Sequence, residues 1–190
     1  SADQSSDENF DAANFLGAEE ITITRTQTSL LFEHYYNARI TVNLRAGTGI
    51  SETALRQATV KLPAFNMNNY MPNSDGTITI DAGSVSGPVS PHERTPATAG
   101  YIRTVDAVVG AIVFEQDKPI ELIRITIDGN NGYSYQMISR LGDPTFQDNY
   151  HYTYNVTVND DGLTLAPPTG GTWTDSGKGG DIVSTPSNNP

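Results

Sequence analysis

There is no cysteine in the 190 residues. That absence excludes disulfide staples, thiolate metal sites and cysteine nucleophiles together. Basic residues are scarce, with 11 Lys and Arg against 22 Asp and Glu, for a net charge of −11. Binding to phosphate needs clustered cations, so this balance argues against a nucleic-acid or anionic-membrane surface. No run of about 20 apolar residues occurs, so the sequence encodes no membrane-crossing helix. No signal peptide is legible either, and Ser1 reads as a processed end from which any export signal has been lost. An amphipathic helix of three turns is also missing.

What the chain does contain is period-two alternation. Across residues 150–158, Tyr150, Tyr152, Tyr154, Val156 and Val158 alternate with His151, Thr153, Asn155 and Thr157. Successive side chains on a strand point to opposite faces, so this is a strand with one buried and one wet face. Asn159, Asp160, Asp161 and Gly162 supply a turn, and Leu163 and Leu165 begin the return strand. Half-wetted hairpins belong to antiparallel sheets rather than to the parallel sheets of most nucleotide enzymes.

The same alternation recurs along the chain. Ile21 and Ile23 form a short run, and Leu30, Phe32, His34 and Tyr36 share a face. Ala38, Ile40, Val42 and Leu44 continue beyond Asn37, either past a bulge or as one long strand. Ser51 caps a single helical turn that contains Glu52. Ala58, Val60 and Leu62 alternate until Pro63 stops the ladder. A strand follows at residues 77–80, and residues 108–114 form a more apolar run. In residues 120–127 the adjacent Leu122 and Ile123 break the alternation and indicate a bulge. Residues 128–132 make a hairpin loop, from which Tyr133, Tyr135 and Met137 return.

Nine or ten short strands joined by Gly, Asn, Asp and Pro turns predict an all-β, Greek-key sandwich of antiparallel strands. Three regions are expected. Residues 1–18 are an acidic arm, flexible or the remnant of a preceding domain; residues 1–20 carry six acidic side chains and no basic one. Residues 19–166 form the sandwich, in which residues 81–104 are a long excursion. Residues 167–190 are a Gly/Pro-rich tail whose few apolar side chains are Trp173, Ile182 and Val183.

Signals for catalysis or metal binding are weak. His34, His92 and His151 sit in no metal-type spacing, and no Gly-x-Ser-x-Gly elbow marks a nucleophile. Asp160 with Asp161, and Asp143 with Asp148, lack the spaced ligands and closing glutamate of a calcium loop and read as turn residues. The row Tyr150, Tyr152 and Tyr154 suits a core better than a sugar-stacking platform. Asn155–Thr157 matches a glycosylation sequon by pattern alone. No catalytic residue, metal or cofactor is expected.

The order of these segments resembles the fimbrillin-type proteins of Bacteroides-like bacteria. Residues 31–34 leading into residues 38–44 resemble a common strand pair of that family, and residues 14–18 the segment before it. Residues 113–116, the hairpin of residues 123–135, and Phe146 with the closing hairpin of residues 150–163 follow in the family's order. Trp173 and Ile182 fall where its C-terminal end lies. Phe114 and Glu115 stand where a proline is common. The resemblance covers about residues 14–183 and implies a transthyretin-like sandwich, a non-enzymatic subunit of surface fimbriae, and a lipoprotein precursor.

Members typically have two sandwiches, so the chain would be a C-terminal one from a longer or trimmed protein. The resemblance further implies polymerisation by strand exchange with other subunits, and adhesion to a host or bacterial surface receptor. Trp173, Ile182 and Val183 are then the candidate donor residues. The alternative is a non-polymerising surface module that binds glycans through exposed Tyr or Trp.

Overall fold

The computed structural model describes residues 2–13, 16–17, 34–35, 37–65, 67–74, 78–85, 88–110, 119–127, 131–138, 146–147, 149–166 and 169–172. Trp173, Ile182, Val183, the run at residues 21–23, residues 113–116 and the loop acids Asp143 and Asp148 lie outside them, as does the side chain of His34. In chain order come α1 (Asp7–Ala13), β1 (Leu16–Gly17), β2 (His34–Tyr35), β3 (Ala38–Ala46), α2 (Glu52–Gln57), β4 (Thr59–Lys61) and β5 (Met67–Pro72). Then follow β6 (Ile78–Val85), β7 (His92–Glu93), β8 (Arg103–Val109), β9 (Pro119–Ile127), β10 (Asn131–Ile138), β11 (Tyr150–Asn159), β12 (Gly162–Leu165) and β13 (Thr169–Thr172).

Two sheets make the body. The larger is ordered β12-β11-β3-β8-β7 with β13 also on β11, and the smaller is β10-β9-β4. The alternating residues of residues 38–46 and 150–158 fill the space between the sheets as expected. Ile40, Val42 and Leu44 are buried, in register with the equally buried Tyr152, Tyr154 and Val156. Ile123, Ile125 and Ile127 of β9 and Val60 of β4 join them in one cluster. Phe146 packs edge-on against Phe65 at 4.8 Å and Tyr152 at 4.7 Å. Tyr152 and Tyr154 are therefore core, with no face left for a sugar, and Tyr150 is half-buried against them.

Local signals explain several joints. The Ser51 hydroxyl accepts from the Ala54 N–H and caps α2, which drops Leu55 into the core. In the β9–β10 hairpin, Tyr135 pairs with Ile123 but Gln136 with Glu121, so Leu122 is an extra residue. This bulge lets Leu122 and Ile123, adjacent in sequence, both point inward. At the β11–β12 turn, Gly162 takes φ 142°, a value open to glycine.

Four expectations change. First, the sandwich is not wholly antiparallel, because β3 and β11 pair in parallel from Arg39↔His151 to Ala46↔Val158. Alternation fixes which face a residue takes, whereas strand direction depends on how the chain returns. Second, residues 2–13 are not a solvated arm. Gln4 and Ala13 are buried, while the carboxylates of Asp7, Glu8 and Asp11 stay outside. Charge dominates the composition there, yet two or three well-placed side chains suffice to dock the segment. Third, residues 81–104 hold the end of β6, all of β7 and the start of β8, and Val89 between them is fully buried. Fourth, the sheet extends past residue 166, because β13 pairs with Tyr150–Thr153 of β11. Its sequence, Thr-Gly-Gly-Thr, has no apolar pattern to reveal it.

Candidate functional site on the outer sheet face

On the face of the large sheet turned away from the core, the alternation that buries Ile40 and Val42 presents Arg39, Thr41, Asn43 and Arg45 instead. β8 contributes Thr104 and Asp106, and β11 contributes His151, Thr153, Asn155 and Thr157, in register with them. Asp106 is the centre. Its carboxylate accepts from Arg39 Nη2 at 2.8 Å, from Arg94 Nε at 2.8 Å and Nη2 at 2.9 Å, and from the Thr41 hydroxyl. Only 3% of its side chain is exposed. Burial pushes the carboxyl up, but the Thr41 hydrogen bond and the two guanidinium groups outweigh it. Asp106 is thereby held below the usual carboxylate range.

The N-terminal segment closes this face. Phe10 of α1 stacks on His92 with centroids 5.0 Å apart, and the Arg39 guanidinium lies 5.9 Å from the same ring. Asp7 reaches His92 Nε2 at 3.3 Å. The Gln4 side-chain amide donates to the Val108 carbonyl at 2.6 Å and accepts from the Val108 N–H at 2.8 Å. It thus stands in for a strand residue along the edge of β8 beyond β7. The Asn37 amide donates to the Ala13 carbonyl at 3.0 Å and ties down the end of α1.

A hydroxyl, an imidazole and a carboxylate therefore meet, since His151 Nε2 lies 2.7 Å from Thr41 Oγ1. Their order is wrong for nucleophilic catalysis. In a triad the imidazole stands between carboxylate and hydroxyl, whereas here the Thr41 hydroxyl stands between the other two. Thr41 is only 2% exposed, and Asp106 is already engaged by two arginines. The cluster joins three strands and a helix and has no substrate-facing nucleophile.

Of the three histidines, His92 and His151 come to this face, and His34 is described only by its backbone, paired with Gly17. Asp160 and Asp161 are exposed turn residues. The side-chain oxygen of Asn155 accepts from Asn43 at 2.9 Å, within the sheet. Among the described residues, no three His, Asp or Glu side chains gather as a metal site. Sequence reading missed Asp106, Arg39, Arg94 and Thr41. A charged residue between Val105 and Ala107 was the available signal, because a lone carboxylate in an apolar run needs a cation beside it.

Fold and site together define a class: β-sandwich proteins whose polar outer face is knitted together from within the chain. Within that class the chain belongs to the fimbrillin-like family, which matches it over residues 1–173. No curated protein matches it. Among solved structures, a candidate cell adhesion protein from Bacteroides uniformis is 16% identical. The likeness covers 77% of this chain and 54% of that one, with a TM-score of 0.56, and concerns the fold. The tip fimbrial protein Mfa3 from Porphyromonas gingivalis, with a C-terminal truncation, is 15% identical. That match covers 74% of this chain and 52% of the other, with a TM-score of 0.49. The chain spans about half the length of these structures.

Proposed function

We propose that the chain is a structural and adhesive subunit of cell-surface fimbriae, exported to the outer membrane, that joins other subunits by β-strand exchange. Membership of the fimbrillin-like family across residues 1–173 carries this reading. The chain supplies one sandwich of a longer, two-sandwich precursor, a view supported by its covering 54% of the Bacteroides uniformis structure. A lipid anchor outside this chain holds the assembly, and a host or bacterial surface receptor is its target.

An open sheet edge offers a row of unpaired N–H and C=O groups, and an extended segment that completes the ladder seats alternate side chains in pockets. The C-terminal side fits the donor role. β13 pairs with β11 at four register positions, two of them glycine, and a Cβ at Gly170 would come to 3.4 Å from the Tyr152 ring. Trp173, Ile182 and Val183 beyond it supply the anchoring side chains. Purified precursor trimmed of its N-terminal segment forms SDS-resistant or filamentous oligomers, and loses them when residues 173–190 are deleted. Trimmed precursor that stays monomeric would sink the reading.

A further inference from the structure

The parallel seam between β3 and β11 has a mechanical consequence. Chain direction places the entry to β3, at Ala38, and the exit from β11, at Asn159, at opposite ends of the same ladder. Tension on the chain outside these strands therefore pulls β3 and β11 along their axes in opposite directions. The evenly spaced bonds of a parallel ladder then stretch together and cannot be opened one after another.

Among the described residues, the elements outboard of the seam are arranged to yield first. On the N-terminal side stand the seven-residue α1 and the two-residue pairing of β1 with β2. On the C-terminal side stand the four-residue strands β12 and β13, both antiparallel to β11. Each presents one end to the pull and peels pair by pair, which hands the load on to the seam. β3 itself is held on its far side by seven register pairs with β8, so sliding falls on β11.

Side chains reinforce that junction from both faces. Thr41 meets His151 at 2.7 Å, Asn43 donates to Asn155 at 2.9 Å, and Arg45 donates to Thr157 at 2.6 Å. These three contacts run from successive outward positions of β3 to positions 151, 155 and 157 of β11. On the inner face the buried Tyr152, Tyr154, Val156 and Val158 would have to be dragged through close-packed core for β11 to move. We propose that the β3–β11 seam is the tension-bearing clamp of the subunit, sheared as a unit when an assembled fibre is stretched. The physiological load rests on the fimbrial reading; the clamp itself is a property of the single chain.

Single-molecule stretching of the full chain from its two ends tests it. The expected trace shows low-force peeling, then one dominant rupture that releases residues 38–159, about 400 Å of extended chain. A second pulling axis supplies the control. The exposed Thr48 lies just past the C-terminal end of β3, and Thr48→Cys creates the sole thiol for a handle. Pulling between that thiol and the C-terminal end loads both strands from the same end, so the seam opens pair by pair at a several-fold lower force. Equal forces along the two axes, or a dominant event that releases a different length, would overturn the proposal. The readout needs no polymer, so it stands or falls apart from the oligomerisation test.

Discussion

On β3, Ile40, Val42 and Leu44 face the second sheet, while Thr41 and Asn43 face the opposite way, yet all five are buried. The inner three lose water to close-packed apolar neighbours. The outer two lose it to a lattice of hydrogen bonds roofed by α1 and by the segment after β7, where the Thr98 N–H reaches the Thr104 hydroxyl at 2.8 Å. One face tolerates any filling of the right volume and shape, whereas the other requires each donor to meet its acceptor. Burial alone therefore does not tell core from surface in this sheet.

The inner face is broken most severely by removing volume. Ile40→Ala should lower stability by about 3–4 kcal/mol in urea unfolding, through lost burial and the cavity left behind. A loss under about 1 kcal/mol would mean that this face is not close-packed. On the outer face, Asp106→Asn should cost about 2–3 kcal/mol, because the partly exposed Arg39 and Arg94 would then face a neutral amide where a buried carboxylate stood.

The same residue sets an acid response. Its folded pKa lies below the unfolded value of 3.8, so its contribution is complete above that pH and is lost as pH falls through the folded value. The stability gap between wild type and Asp106→Asn should shrink below pH 3.8 and stay constant from pH 5 to 7. A gap that widens on acidification would refute the charge network. Gln4→Ala, at the roof's edge, should cost about 1–1.5 kcal/mol and speed hydrogen exchange at the Val108 amide roughly tenfold. Far from both faces, Ser51→Ala should cost about 1 kcal/mol, read as a shift in the urea midpoint with no change in slope.

How far the residues announce this arrangement differs between the faces. The inner face was legible, because period-two burial is a local rule and Tyr152, Tyr154, Val156 and Val158 obey it strictly. The bulge at Leu122 and the cap at Ser51 were legible for the same reason, each being a breach or an end of a short-range pattern. The roof was not. Gln4 acts on Val108, 104 positions away, and nothing in an acidic, glutamine-bearing segment marks which strand edge it will complete. Strand direction was hidden too, since β3 and β11 carry the same alternation whether they run together or opposed. Asp106 announced only that it needed company, not that Arg39 and Arg94 would arrive from either side.

The spare residue at Leu122 makes the β9–β10 hairpin unequal, with one more position on one strand than on its neighbour. An evenly matched pair can creep by a step and leave every bond intact, but this one cannot. Any such creep would swing Ile123, Ile125 and Ile127 towards water and strand the bulge among paired neighbours. A small irregularity thus acts as a keyway, barring the misaligned states that repetitive, β-branched segments otherwise drift into while folding.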